Sequence, residues 1–203
     1  MPRHPHEMSV RFVAVALLAA TLLGIGPSEP ACQPRPPETD ARHPSGLALA
    51  PGRGPCHASI DDRLGLAYDR AYRFAEAHAD DLGYPWDDRG NFTLVLSVVT
   101  PVGQALAQQW SGLGWEVPIR IRTVTRSFAL LEQIKHDLID IARLPLPGSG
   151  DIRFTTGDSE RNRVIVGVQR LTDEVAGAIV ARYGTEAVAV QVDPGFAIFG
   201  LRD

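Results

Sequence analysis

Phe92-Thr93-Leu94-Val95-Leu96-Ser97-Val98-Val99, followed at once by Thr100-Pro101, is the stretch that decides the fold. Its apolar and β-branched side chains, with no charge among them, read as a buried strand. Thr100 offers a hydroxyl cap, and Pro101 sits at a first helical position where its missing N–H costs nothing. A helix therefore follows, running to Trp110 before the turn Ser111–Gly114. The same sequence of signals recurs downstream. Arg163-Val164-Ile165-Val166-Gly167-Val168 is a second apolar strand, and Thr172 caps a helix with Asp173 and Glu174 in its first turn. Val175, Ala176, Ile179, Val180 and Tyr183 form its core face, and Gly184 ends it.

Working outward from the first strand, Ser59 caps a helix opened by Asp61 and Asp62 and carrying Ile60, Leu64, Ala67, Tyr68, Ala71, Phe74, Ala75 and His78 at helical spacing. Gly83 is the expected end of that helix. Tyr84–Trp86 leads into the turn Asp87-Asp88-Arg89-Gly90-Asn91, where Gly90 is expected to take the positive-φ position. Val117–Val124 alternates Ile119, Ile121 and Thr123 against Arg120, Arg122 and Val124, a strand with one buried and one wet face. Pro118 confines its start to an edge or to the first ladder position.

In the second half Phe128, Leu131, Ile134, Leu138 and Ile141 stripe a helix from about Ser127 to Arg143, stopped by Pro145 and Pro147. Asp151–Thr156 and Arg163–Val168 form a hairpin around residues 157–162, and Val188–Val192 is the last strand. Helix, strand, turn, strand, helix, strand thus occurs twice, with Asn91-Phe92-Thr93 and Asn162-Arg163-Val164 at equivalent points. The expected fold is α+β: two similar small lobes, each a short, mainly antiparallel sheet packed against helices. The expected organisation is a signal peptide over 1–28, a tether over 29–57, a first lobe over 58–125 and a second over 126–203.

The signal reading rests on Arg3 and Arg11 ahead of Phe12–Ile25, a run without a charged side chain. That run is shorter than the about 20 apolar residues a membrane span needs. Residues 27–56 are dense in Pro and Gly and read as an extended arm. The chain is expected to be exported, and bacterial in character, extracellular or attached to the envelope. Cys32 and Cys56 leave three readings open: a lipid on Cys32, a Cys32–Cys56 disulfide, or free thiols. Net charge is −4 with scattered Lys and Arg, so neither a nucleic-acid stripe nor a polybasic membrane helix is expected. Membrane attachment would come only through a lipid anchor.

Three passages together resemble a known family. They are Ser127-Phe128-Ala129-Leu130-Leu131-Glu132, Gly150-Asp151-Ile152-Arg153-Phe154 and Asn162-Arg163-Val164-Ile165-Val166. They are similar to the pro-regions of secreted bacterial serine proteases of the α-lytic protease and streptogrisin type, and the likeness spans roughly Tyr84–Val192. It implies α+β lobes that pack on a protease, assist its folding and place a C-terminal tail in its cleft. This chain ends at Asp203, where the family continues into a protease, so the resemblance implies action in trans or without a protease. The apolar tail with Phe196, Ile198, Phe199 and Leu201 has two readings: a segment docking on a partner, or an extra edge strand on the chain's own core.

Constellations with catalytic potential have structural readings beside them. Gly157-Asp158-Ser159 resembles a serine-nucleophile motif, but Glu160 follows where a glycine would be wanted, so it is read as a hairpin turn. Glu132, His136 and Asp140 share one helical face, read as solvated neighbours in preference to metal ligands. Cys56-His57 lies in the arm, too loosely held for a nucleophile–base pair. Asp87, Asp88 and Asn91 are read as turn residues in preference to a calcium loop. No catalytic residue, cofactor or metal is expected. The functional expectation is a non-enzymatic protein-binding module whose partner is an unidentified extracytoplasmic protein. The alternative is a stand-alone folding assistant or inhibitor of a secreted serine protease.

Overall fold

A computed structural model of the chain describes residues 41–50, 61–141 and 149–193. Its elements in chain order are β1 (Ala41–Arg42), β2 (Ala48–Leu49), α1 (Asp62–Ala77), β3 (Trp86–Asp88), β4 (Thr93–Val98) and α2 (Pro101–Ser111). Then come β5 (Ile119–Thr123), α3 (Phe128–Ile141), β6 (Ile152–Asp158), β7 (Arg163–Val168), α4 (Asp173–Tyr183) and β8 (Val188–Val192). The fold is α+β in two lobes, α1-β3-β4-α2-β5 and α3-β6-β7-α4-β8.

Each lobe places its most apolar strand, β4 or β7, in the middle of a sheet. β4 pairs antiparallel with β3 and parallel with β5, and β7 pairs antiparallel with β6 and parallel with β8. The parallel pairings arise because α2 and α4 are crossover helices, as a parallel connection requires. The sheets are therefore mixed, which corrects the mainly antiparallel expectation. Leu94, Leu96 and Val98 of β4 face the helices, as do Val164, Val166 and Val168 of β7. These side chains, with Leu131, Leu138 and Ile179, belong to one continuous core that both lobes share.

The helix caps follow their residues. Thr100 Oγ1 accepts from Gly103 N at 3.1 Å and Thr172 Oγ1 from Val175 N at 3.3 Å. Ser127 Oγ accepts from Leu130 N at 3.2 Å at the start of α3. Helix α1 is capped by Asp61, whose Oδ1 accepts from Arg63 N at 2.9 Å; Ser59, the expected cap, lies outside the described residues. Nor does α1 run to Gly83. It ends at Ala77, and Gly83 hydrogen-bonds from its N–H to Ser97 O at 2.9 Å. Gly83 is small for packing reasons: a Cβ there would lie 3.0 Å from Val124 Cγ2 and 3.1 Å from Arg126 O.

Part of the expected tether is sheet. Within 29–57, residues Ala41–Arg42 and Ala48–Leu49 form β1 and β2, and β2 pairs parallel with β8 to make the order β1-β2-β8-β7-β6. The physical reason is the run Leu47-Ala48-Leu49-Ala50, in which Leu47 and Ala48 are buried. Four alternating apolar residues outweigh the Pro and Gly on either side.

Candidate functional site at the lobe junction

The two hairpin turns are built alike. Four residues separate Asp88 from Thr93 and Asp158 from Arg163, and each pair closes its ladder. Asp88 Oδ1 accepts from Asn91 N and Asp158 Oδ1 accepts from Arg161 N, both at 3.2 Å. The positive-φ residue is the last of each turn, Phe92 at 48° and Asn162 at 50°. Gly90 does not take that position, which corrects the expectation, and the equivalence runs Asn91 to Arg161 and Phe92 to Asn162, one residue from the expected alignment.

The second turn is where the lobes are tied. Asn162 is buried, and its Oδ1 accepts from Arg126 N at 2.8 Å while its Nδ2 donates to Arg126 O at 2.9 Å. Arg126 Nη1 also donates to Asn162 O at 3.0 Å. Four residues earlier, Arg122 on β5 donates from Nη1 to Glu160 O at 2.7 Å and from Nη2 to Ser159 O. Burial lowers the pKa of both guanidiniums, and both stay cationic because arginine starts so high. Arg163 Nε donates to Asp158 Oδ2 at 2.8 Å inside the same turn.

Beside this clasp runs an aromatic ladder. Tyr84 and Phe128 meet edge to face at 4.9 Å, and Tyr72 meets Phe128 at 5.1 Å, geometries that suit ring quadrupoles. Tyr68 continues the row at 6.3 Å from Tyr72. The Tyr84 ring lies against Gly157, where an added Cβ would come within 2.5 Å of Tyr84 Cε2. Tyr84 Oη donates to Glu132 Oε1 at 2.6 Å, and Lys135 Nζ donates to the two Glu132 oxygens at 2.8 and 3.0 Å. Burial and the bonded Glu132 carboxylate push the Tyr84 hydroxyl far up. Burial would also raise Glu132, but the hydrogen bonds from Lys135 and Tyr84 outweigh it and hold the carboxyl below its ordinary value.

Tyr68 links the ladder to an open groove of about 650 Å³ between α1 and the end of β3. The α1 wall carries Asp62, Gly65, Leu66 and Asp69, and the other wall carries Asp87 and Arg89. Leu66 is 58 % exposed. Arg89 Nε is 2.8 Å from Asp87 Oδ2. The Tyr68 hydroxyl is pushed up by burial first and by Asp87 second.

The residues singled out by sequence fall elsewhere. Cys32, Cys56, Phe196, Ile198, Phe199 and Leu201 lie outside the described residues. Of the Glu132, His136, Asp140 face, Glu132 is turned to Tyr84 and Lys135. Among the described residues no three His, Cys, Asp or Glu side chains are gathered as a metal site would need. Gly157 and Asp158 are the last residues of β6 and Ser159 opens the turn. Tyr84, Arg122, Arg126 and Asn162, the residues that build the junction, were missed. Their signal was faint: a buried-type Asn at a turn end, one arginine on the wet face of a strand and another just past its end. No protein-family model and no curated protein matches this chain.

Proposed function

We propose that the chain is an exported, non-catalytic protein-binding module, carried out by the signal peptide over 1–28 and released or held at the envelope. The observation that carries this reading is how the polar groups at the junction are used. Arg122 binds backbone across the lobes, Asn162 and Arg126 fasten the link between β5 and α3 to the second turn, and Tyr84, Glu132 and Lys135 bind one another. Groups so engaged stiffen a body whose outer surface offers contact area, including Leu66, Val102 and Leu113, each more than half exposed. Turnover of ester, peptide or glycoside substrates by the purified chain would overturn the non-catalytic reading. Mass spectrometry of the mature N-terminus tests export and reads out the state of Cys32.

The resemblance to protease pro-regions favours one particular partner. Its three passages fall on α3, on the start of β6 and on β7, the elements that form the second lobe's centre. The second reading is a folding assistant or inhibitor of a secreted serine protease acting in trans. Titrating the chain into a streptogrisin-type protease, native and refolding, tests it. A stoichiometric fall in peptide hydrolysis or a rise in refolding yield supports it, and neither effect at a tenfold molar excess rejects it.

A further inference from the structure

We infer that the groove between α1 and β3 takes an extended basic segment of a partner protein, one carrying Arg or Lys beside an aliphatic side chain. This rests on the protein-binding reading and names where that binding occurs. Three carboxylates, Asp62, Asp69 and Asp87, face one guanidinium, Arg89, which is already committed to Asp87. Asp62 and Asp69 stand seven residues apart on α1, two turns along one face, with exposed Leu66 between them. Neither makes an ion pair among the described residues. Leu66 and the partly buried Tyr68 supply the apolar floor, so the groove complements a cationic chain that also has something apolar to bury.

The molecule carries its own template for such binding. At the second turn the extended segment Arg122–Arg126 lays two arginines on turn carbonyls, those of Ser159, Glu160 and Asn162. The first turn has the same backbone, and Arg89, its first residue, lines the groove. A basic strand from a partner would repeat, between molecules, what β5 and its exit do within this one.

The experiment uses the mature chain and three fluorescein-labelled peptides, alternating Lys-Leu, Lys-Ser and Glu-Leu, with anisotropy as readout. The Lys-Leu peptide is expected to bind best, and the Glu-Leu peptide not at all. The Asp62→Asn/Asp69→Asn variant should weaken Lys-Leu binding roughly fivefold, the worth of two exposed ion pairs. Leu66→Gln should weaken Lys-Leu binding and leave Lys-Ser binding unchanged. All these positions are exposed, and circular dichroism checks that the variants fold. Equal binding of the acidic and basic peptides, or no response to either variant, overturns the groove. If the unaltered chain acts on a protease but binds no Lys-Leu peptide, the groove is wrong and the binding reading stands. If it does neither, both readings fall.

Discussion

The two hairpin turns share a backbone and differ in what they hold. In the first lobe the residue at φ 48° is Phe92, half-buried against the core with Arg63 5.1 Å above its ring. In the second, the residue at φ 50° is Asn162, buried and hydrogen-bonded on both side-chain ends to the Arg126 backbone. Asn enters the left-handed region readily, whereas a bulky side chain is strained there. One turn therefore carries a strained surface residue beside an open groove, and the other a well-suited residue inside a clasp. The same loop geometry serves a boundary with solvent in one place and a seam between lobes in the other. What separates them is whether an extended segment lies across the turn.

Asn162→Ala attacks that difference hardest. It leaves the half-buried Arg126 N–H and C=O without their Asn162 partners and puts a less suitable residue at positive φ. The expected loss is about 3 kcal/mol, from two unsatisfied backbone groups and the conformational cost. Urea denaturation followed by tryptophan fluorescence measures it. A loss below about 1 kcal/mol, within the range of an ordinary surface change, would mean the clasp does not hold the lobes.

Glu132 sharpens the comparison from the side of the seam. Its carboxyl titrates lower in the folded chain than in the unfolded one, so its contribution is complete above about pH 4.3, the unperturbed glutamate value. That contribution is lost as pH falls through the folded-state value. Glu132→Gln keeps an acceptor for Tyr84 but removes the charge. The wild-type chain should therefore be the more stable by a constant margin between pH 6 and 8, and the margin should shrink steadily below about pH 4.3. Urea titrations at a series of pH values test this. A margin that stayed constant into acid would show that Glu132 gains nothing from Lys135 and Tyr84 as an anion. Tyr84 works in the opposite direction: its raised value adds stability that is lost only as pH climbs above the ordinary tyrosine range.

The central strands and the caps were legible because their causes are local. Phe92–Val99 and Arg163–Val168 can bury themselves only in the middle of a sheet, and Thr100 and Thr172 satisfy amides three residues away. Val188–Val192 was read at its observed bounds for the same reason. Gly83 misled because its smallness answers to Val124 and Arg126, some forty residues on, and no helix signal distinguishes that from a cap. Gly90 misled because a turn of this length needs positive φ at its last residue, whatever glycine stands nearby. The ladder between β2 and β8 joins residues about 140 positions apart, and the local signal of the short apolar run at 47–50 is weaker than that of the prolines around it. The candidate site was almost wholly hidden. Arg122, Arg126, Asn162, Tyr84 and Glu132 acquire their roles only when the second lobe is laid against the first.

The smallest expected effect tests whether backbone geometry alone explains the pair of turns. Phe92→Asn puts into the first lobe the residue that the second lobe uses. It relieves the positive φ, a gain of about 1 kcal/mol, and gives up partial burial and the Arg63 contact, a loss of similar size. Stability should stay within about 0.5 kcal/mol of the wild-type chain, the range of surface changes. The reverse exchange, Asn162→Phe, removes both hydrogen bonds to Arg126 and forces a ring into the seam, so it should behave like Asn162→Ala or worse. If Phe92→Asn instead destabilised the chain by 2 kcal/mol or more, well outside that range, Phe92 would be a structural anchor of the first lobe. The asymmetry between the turns would then lie in packing on α1, and the segment across the second turn would no longer account for it.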